Sequence, residues 1–340
     1  MGIRKQPLSG VRISDVAKLA GVAPITVSRV LNQPEQVKPG TREKVQKVIE
    51  ETGFVRNQNA GALASNRSRL VAVLVPMLTN PIFSDTFQAI AEQLAANGYQ
   101  VLLGISGYHA QQEQELLDVI LSRRPDGIIL TGTIHTEPSR KRLRATQVPV
   151  VETWDVSESP IDMLVGFSHE KIGRDIAHHL LAQGYRRFGL LSVDDPRGML
   201  RAKVFVDTLR EQGITDIDEH YFSGLPTLAQ GREGLKRIRA SDRSPRVVVC
   251  TSDTIAHGVL TEAASTGLSV PGDVAVFGFG DMNFAAHTFP PLSTVRIDGQ
   301  HIGQLAAAAL LQRLKNPSSD AIYTDVGFTI VDRSSTQKLA

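Results

Sequence analysis

The sequence predicts a small all-α unit at the N terminus, followed by an α/β body of two lobes, each built on a doubly wound parallel sheet. Residues 1–69 are basic and carry short amphipathic helical patterns, whereas apolar runs of strand length alternate with helical stretches from residue 70 onward. The 340 residues are enough for more than one domain, and 41% hydrophobic and 21% charged residues are typical of a globular protein.

Composition excludes several classes of protein. The single cysteine, Cys250, cannot form a disulfide within the chain, and because it follows three valines we expect a packed core thiol. No run of about 18 consecutive apolar residues occurs, and residues 1–7 lead into no hydrophobic signal region. We therefore expect a cytoplasmic protein without a membrane partner.

Charge is distributed unevenly along the chain. Residues 1–69 contain twelve lysines and arginines against five acidic residues, whereas the other 271 residues contain 25 basic and 30 acidic ones. A basic segment on a mildly acidic body indicates a polyanionic partner for that segment. A solvated basic surface without a partner would have the same composition, so charge alone leaves both interpretations open.

Two short helices joined by a glycine are predicted in the basic segment. The first begins near Ser14 and Asp15, which supply a cap and an acidic first turn, and it ends at Gly21. Its apolar face consists of Ile13, Val16, Ala17, Leu19 and Ala20. The second begins at Pro24, which suits a first helical turn, and runs to Asn32.

The second helix has the side chains that a recognition helix needs. Its inward stripe is Val27, Val30 and Leu31. Residues suited to bases and phosphates fall outside that stripe, namely Ile25, Thr26, Ser28, Arg29 and Asn32. A third helix follows from about Pro39 to Thr52. Together they predict a helix-turn-helix unit, although a helical bundle without a ligand would show the same periodicity.

The residues themselves are more specific than the periodicity. Residues 13–32, with the sequence ISDVAKLAGVAPITVSRVLN, resemble the headpiece of the lactose/galactose repressor (LacI/GalR) family, as do residues 41–45, and the resemblance continues through essentially the whole chain. It implies a helix-turn-helix headpiece over residues 1–56 that binds double-stranded operator DNA, a pseudo-palindrome bound by a homodimer. The resemblance places positions 24, 25 and 29 at bases of the major groove. The DNA-binding residues expected in the headpiece are Ser14, Pro24, Ile25, Thr26, Ser28, Arg29 and Asn32.

Residues 57–69 connect the headpiece to the body. On composition alone they are a linker, because the stretch is too short for an isolated helix and Gly61 weakens it further. They resemble the hinge helix of the family, which orders when two copies meet on operator DNA and insert paired leucines into the minor groove. The hinge residues expected at DNA are Asn57, Ala60, Leu63 and Ala64.

The body, residues 70–334, is predicted from alternating strands and helices. The predicted strands are Leu70–Val75, Gln100–Ile105, Gly127–Thr131, Val148–Val151, Phe188–Ser192, Val247–Thr251, Val274–Phe279 and Leu292–Val295. The predicted helices are residues 92–96, Gln112–Ser122, Ile172–Ala182, Gly198–Glu211, Thr254–Ala264 and Gln300–Leu314. Two βα series of this kind favour a parallel sheet in each lobe, and residues 334–338 are expected to form a frayed tail.

Ligands of such sheets bind outside the carboxyl ends of strands, and between two lobes these ends share a cleft. Arg201 suits a ligand carboxylate, Asp253 and Asp281 suit sugar hydroxyls, and Phe83 or Trp154 suits a sugar face. Any single one of these is equally explained as a loop residue without a ligand. The full set expected at an effector is Asn80, Phe83, Tyr108, Thr131, His135, Glu152, Trp154, Asp155, Phe167, Arg201, Asp253 and Asp281.

The family resemblance is closest to its gluconate and 2-ketogluconate repressor branch, at residues 79–83, 126–136, 165–167 and 327–329. It implies a periplasmic-binding-protein-like body and a small sugar acid that releases the operator. We expect neither catalytic residues, metal nor cofactor, because the chain lacks phosphate-binding glycine motifs and His178 and His179 lack metal-ligand spacing. The alternative is a solute-binding protein or sugar-processing enzyme with the same two lobes, which leaves residues 1–69 unexplained.

Overall fold

The chain separates into two units, Met1–Ser68 and Arg69–Ala340. A computed structural model describes residues 11–55, 67–78, 81–241 and 245–336. The hinge residues Asn57, Ala60, Leu63 and Ala64 and the effector candidate Asn80 lie outside these ranges.

The headpiece consists of α1 (Ile13–Ala20), α2 (Pro24–Asn32), a 3₁₀ turn (Pro34–Gln36) and α3 (Pro39–Thr52). Its core is small and aliphatic, formed by Val16, Ala17, Val27, Val30 and Val45. Gly21 ends α1 in the left-handed conformation, with φ of 65°, which a glycine adopts without steric cost. The three predicted helices are therefore confirmed.

The start of α1 differs from the prediction that Ser14 caps it. The N-cap is Arg12, and Asp15 at the third helical position accepts a 2.9 Å hydrogen bond from the Arg12 backbone N–H. The Asp15 carboxylate thus accepts from the Arg12 backbone N–H, which has no acceptor within the helix. Ser14 is exposed on the helix surface.

The first lobe of the body contains a six-stranded parallel sheet in the order β11-β5-β4-β3-β1-β2. Alternate residues of β1 face opposite cores, with Val71 and Val73 on one side and Ala72 and Leu74 on the other. Helices cover both faces, as expected of a doubly wound sheet. The elements are β1 (Leu70–Val75), α4 (Pro81–Ala96), β2 (Gln100–Ile105), α5 (Ala110–Ser122), β3 (Gly127–Thr131), α6 (Glu137–Thr146), β4 (Val150–Thr153), β5 (Met163–Gly166), α11 (Gly299–Lys315) and β11 (Tyr323–Asp325).

The second lobe contains a four-stranded parallel sheet in the order β7-β6-β8-β9. Here Leu190 and Leu191 of β6 face opposite cores. A short antiparallel pair, β10 (Thr294–Arg296) and β12 (Thr329–Val331), runs beside this sheet. The other elements are α7 (His169–Ala182), β6 (Phe188–Val193), α8 (Pro196–Glu211), β7 (Ile217–Phe222), α9 (Leu228–Ala240), β8 (Val247–Cys250), α10 (Asp253–Ser265) and β9 (Ala275–Phe277).

Three connections join the lobes within the described residues, between β5 and α7, between β10 and α11, and between β11 and β12. At the first of them the chain passes very close to the end of β4. A Cβ on Gly166 would lie 1.9 Å from the Asp155 backbone oxygen, so this close approach requires a glycine. The chain thus leaves the first lobe in close contact with the residues that follow β4.

The C-terminal segment corrects the prediction of a frayed tail. Ser335 and Thr336 are fully buried. The Ser335 hydroxyl donates to the Val276 oxygen at 2.6 Å, and the Thr336 hydroxyl donates to Ser293 Oγ at 2.7 Å. Ser335 thus satisfies a backbone group beside the second sheet and Thr336 satisfies a side-chain hydroxyl, roles that composition does not reveal. Cys250 is buried, as predicted, and burial raises its pKa well above the ordinary value.

Candidate nucleic-acid surface and ligand cleft

The outer face of α2 carries the side chains predicted for DNA. Ile25 is 61% exposed, and Arg29 and Asn32 follow at one and two helical turns on the same face. Asn32 Nδ2 donates to the Ser28 backbone oxygen at 2.8 Å and lies 3.2 Å from Ser28 Oγ. Pro24 is exposed and Thr26 is half-buried. These positions form one continuous surface, and their contacts with DNA remain predictions.

The headpiece exposes several basic side chains. Lys18, Arg29, Lys38, Arg42, Lys44 and Lys47 are all exposed. Lys47 forms a loose pair with Glu51 at 3.9 Å, which solvent screens. Exposed lysines and arginines on a small helical unit are suited to phosphate groups, which attract them without regard to base sequence.

A cleft lies between the two lobes of the body, at the carboxyl ends of their strands. It comprises two adjoining hollows that share Tyr108, Asp195 and Arg197 in their walls, and both are partly open to solvent. Six of the predicted effector residues line it, namely Phe83, Tyr108, Thr131, Trp154, Asp155 and Arg201. The structure therefore brings together residues from both βα series.

Trp154 forms part of the cleft wall beside the connection between β5 and α7. Its ring packs edge-on against Phe83 and Phe167, at 5.1 and 5.6 Å between centroids. Its backbone has φ of 66°, a conformation that costs energy in a residue with a side chain and often marks a functional position. Phe167 is fully buried behind it and supports the ring without lining the cleft.

Two other predicted residues, His135 and Glu152, lie in a buried charge cluster beneath the cleft. His135 Nδ1 is 2.6 Å from Glu113 Oε1, and its Nε2 is 3.2 Å from Glu152 Oε1. Burial of the ring disfavours its charged form, but the two carboxylates outweigh burial and raise the pKa of His135 to about 9. The imidazolium hydrogen-bonds Glu113 through Nδ1 and forms an ion pair with Glu152 through Nε2, which ties the loop after β3 to both carboxylates. Of these three residues, only Glu113 lines the cleft.

The two predicted aspartates of the second lobe form hydrogen bonds and ion pairs with other protein groups. Asp253 is fully buried and accepts hydrogen bonds from the Thr294 hydroxyl at 2.6 Å and the Met282 backbone N–H at 2.8 Å. Burial raises the pKa of Asp253 to about 6, although these two hydrogen bonds act to lower it. Asp281 pairs with Arg296 and Arg333 at 2.6 and 2.7 Å. Both carboxylates stabilise the loop after β9.

Arg201 is held firmly within the cleft. Its Nη1 donates to His169 Nδ1 at 2.9 Å, its Nη2 donates to the Thr251 backbone oxygen at 3.0 Å, and its guanidinium stacks on the Phe279 ring at 3.7 Å. Burial lowers its pKa to about 10, a shift that Asp195 opposes, so it remains charged at neutral pH.

His169 lies at the end of the connection between β5 and α7, and it supports Arg201. Burial, followed by the charges of Arg201 and Arg197, lowers the pKa of His169 well below its ordinary value, so the ring is neutral. Its Nε2–H donates to the Trp154 oxygen at 2.9 Å, which leaves Nδ1 to accept from Arg201.

Arg197 is the principal residue that sequence reasoning missed. It lines both hollows, is 8% exposed, and lies over the Phe83 and Tyr108 rings at 5.5 and 5.6 Å. A signal for it exists in the sequence, because Arg197 precedes Arg201 by four residues and hence occupies the same face of α8. Asp195, the N-cap of α8, also lines both hollows.

Within the described ranges, no group of three or more histidines, cysteines and acidic residues is placed to hold a metal ion. In the same ranges no helix is long and apolar enough to cross a membrane.

Comparison with known proteins agrees with both parts of the architecture. Residues 12–57 match bacterial regulatory proteins of the lacI family, and residues 177–336 match a periplasmic binding protein-like domain. The chain is 36% identical over 326 residues to the transcriptional regulator GntR of Pseudomonas aeruginosa, covering 95% of each protein. It is 31% identical to GntR of Escherichia coli, covering 96% of this chain and 98% of that protein.

Solved structures give the same result. A LacI-family transcriptional regulator from Silicibacter pomeroyi is 32% identical, with a TM-score of 0.90 over 96% of this chain and all of that one. The Lac repressor dimer bound to operator is 26% identical, with a TM-score of 0.82 over 97% of this chain and all of that one. These relatives are named as regulators rather than enzymes.

Proposed function

The chain belongs to the LacI family of bacterial transcriptional regulators, and on this premise we propose that it is a repressor released from its operator by a small sugar acid. The effector would be of the gluconate or 2-ketogluconate class. The observation that carries this proposal is the cleft, where two buried guanidinium groups lie beside hydroxyl and carboxylate groups and aromatic rings. The GntR relatives support a place in the gluconate branch of the family.

The chemistry of the cleft suits an acid with a polyhydroxylated chain. Arg197 and Arg201 provide planar donors for a carboxylate, which binds most strongly where water is excluded. Asp155 and Asp195 provide acceptors for hydroxyl groups. The faces of Phe83 and Trp154 provide apolar walls for the C–H groups of a sugar. A neutral sugar would leave the guanidinium groups without an anionic partner.

On the DNA side, we propose that two headpieces of a homodimer bind the halves of a pseudo-palindromic operator. Arg29 would bind a guanine edge, and Ile25 would contact a thymine methyl, because its exposed side chain offers no hydrogen bond. Leu63 of the hinge would enter the minor groove. The Lac repressor relative, a dimer bound to operator, supports this arrangement.

Effector binding is coupled to operator binding if the effector favours one relative position of the two lobes. A ligand shifts an equilibrium only by its difference in affinity for the two states. Because cleft residues come from both lobes, a sugar acid binds one lobe arrangement better than another. We propose that this arrangement disfavours the meeting of the two hinge segments on DNA and so lowers operator affinity.

The single tryptophan provides a direct test of effector binding. Trp154 is the only tryptophan in the sequence, is 3% exposed and lines the cleft. A bound sugar acid changes the polarity around its ring and its contact with Phe83. Titration with gluconate or 2-ketogluconate is therefore expected to change tryptophan emission in a saturable way, whereas glucose is expected to leave it unchanged.

A Trp154→Phe variant serves as the control, because it removes the signal while keeping an aromatic wall. Binding to this variant is followed by calorimetry. If neither sugar acid changes the emission of the natural protein or releases heat on mixing, the proposed effector class is wrong.

A further inference from the structure

We propose that the second lobe binds a small phosphate-bearing molecule in a basic hollow lined by Arg186, Arg187 and Arg246. This basic hollow lies at the amino ends of the strands of the second sheet, whereas the cleft lies at the carboxyl ends. The six residues of β6 separate the two edges, a length of about 20 Å. The site is therefore distinct from the effector cleft.

Parallel strand pairing brings the three arginines together. Arg186 and Arg187 directly precede β6, and Arg246 directly precedes β8. The Arg246 backbone N–H donates to the Arg187 oxygen at 2.9 Å, which extends the pairing of β6 with β8 by one step. Because these strands are neighbours, residues far apart in the sequence lie side by side at one edge of the sheet.

Backbone carbonyl groups hold two of the guanidinium groups in place. Arg186 Nη1 donates to the Leu181 and Tyr185 oxygens at 2.8 and 2.7 Å, just beyond the end of α7. Arg246 Nη2 donates to the Gly272 oxygen at 2.7 Å. These acceptors carry no net charge, so they position both cations without neutralising them. Both groups keep further N–H donors for a ligand.

The positive charge of the basic hollow is not balanced by acidic side chains. No aspartate or glutamate lines it, and none of its three arginines forms an ion pair with a carboxylate within the described ranges. The Asp273 carboxylate, beside the turn that lines the hollow, accepts instead from the Ser269 backbone N–H at 2.8 Å. Three cations around one concavity repel one another, and an anion bound among them removes that repulsion.

Shape and charge together favour a phosphate-bearing small molecule. The basic hollow offers about 460 Å³, which falls in the range of small-molecule sites. Planar guanidinium groups bind phosphate oxygens bidentately, and three of them match the several negative charges of a phosphate ester or a diphosphate. A single carboxylate would leave most of this positive charge without a partner.

The test uses inorganic pyrophosphate as the probe and calorimetry on the full-length protein as the measurement. The solution contains about 150 mM NaCl, which screens weak attraction to scattered surface charges. We expect saturable binding to one site per chain. Sulfate is expected to bind at least about tenfold more weakly, because it is smaller, carries less charge and contacts fewer guanidinium groups.

Arg187→Gln is the decisive variant, because this side chain lines the basic hollow and holds no other described part of the protein by a hydrogen bond or ion pair. Loss of its charged donors is expected to weaken pyrophosphate binding about tenfold or more, and Arg187→Lys is expected to restore part of the affinity. Arg246→Gln is expected to have a similar effect, although its amide can still donate to the Gly272 oxygen.

Arg174→Gln is the matched control. It removes another exposed cation of the second lobe, on α7 but outside the basic hollow, and is expected to keep the natural affinity. The absence of heat on addition of pyrophosphate to the natural protein would contradict the proposal. Equal affinity in Arg187→Gln and Arg174→Gln would also contradict it, because the probe would then bind the headpiece or the cleft.

Arg201→Ala distinguishes these last two locations. Loss of pyrophosphate binding in this variant, with normal binding in Arg187→Gln, would assign the probe to the cleft and overturn the proposal. Saturating gluconate is expected to leave pyrophosphate affinity unchanged within about twofold, because the two ligands occupy opposite edges of the sheet. The pyrophosphate measurement does not depend on the identity of the effector, so the failure of either proposal leaves the other intact.

Discussion

Replacement of Arg201 by alanine is expected to abolish the response to effector while operator binding persists. The substitution leaves His169 Nδ1 and the Thr251 oxygen without a donor and removes the cation from the Phe279 face. The substitution also removes a charged donor for the ligand carboxylate, and because a hydrogen bond to a charged group contributes about 1.5–3 kcal/mol, effector affinity is expected to fall by about 10–150-fold. The loss is measured by calorimetry and by release of labelled operator DNA.

A matched control lies on the same helix. Arg210 of α8 is half-exposed and pairs with Asp207 and Glu219 at the surface. Arg210→Ala is expected to retain the natural effector affinity, because a surface pair contributes little and lies away from the cleft lining. Unchanged effector affinity in Arg201→Ala would remove this arginine from the site.

The affinity for operator DNA is expected to fall steeply with salt. If each dimer neutralises about 6–10 phosphates, affinity decreases by about 10³–10⁵ between 50 and 200 mM salt, because bound counterions are released on association. The exposed basic residues of the headpiece supply these contacts. The measurement is fluorescence anisotropy of labelled promoter DNA over a salt series, with DNA of unrelated sequence as the comparison.

Specific and unrelated DNA are expected to share the steep salt dependence and to differ in absolute affinity. A flat dependence for promoter DNA would contradict the assignment of residues 1–69 as a DNA-binding unit. Equal affinity for both sequences at every salt concentration would argue against base recognition by α2.

The helices of the headpiece could be predicted from sequence because local residues determine them. Pro24 starts α2, Pro39 starts α3, and Gly21 ends α1, so the predicted bounds agree with the structure. In the body, α6 and α9 were missed. Residues 137–146 contain one large apolar residue, Leu143, among charged ones, and burial of that one side chain leaves little periodicity to detect.

The strands β5, β7, β11 and β12 were also missed, and α4 begins at Pro81 rather than near residue 92. Residues 217–222, with the sequence IDEHYF, lie at the edge of the second sheet and carry mostly polar side chains, so they lack the continuous apolar run of the central strands. The place of a strand at the edge of a sheet depends on the whole sheet, so the local sequence of residues 217–222 does not predict this strand.

Sequence reasoning found six cleft residues from their place after strands, because parallel strands put their carboxyl ends at one edge. It did not distinguish ligand-facing side chains from those occupied by protein partners. Arg201, Asp253 and Asp281 are all bound by groups far away in sequence. Only the tertiary structure shows that Asp253 and Asp281 are already bound by protein groups, whereas buried Arg197 Nη1 and Arg201 Nε have no hydrogen-bond partner among the described residues.

The most direct measurement is a titration of the full-length protein on labelled promoter DNA with gluconate, 2-ketogluconate and neutral sugars at constant salt. A sugar acid is expected to weaken operator binding by about 5–150-fold, the usual range of coupling between two sites, and neutral sugars are expected to have no effect. Operator affinity that stays constant while a sugar acid saturates the cleft would contradict the account.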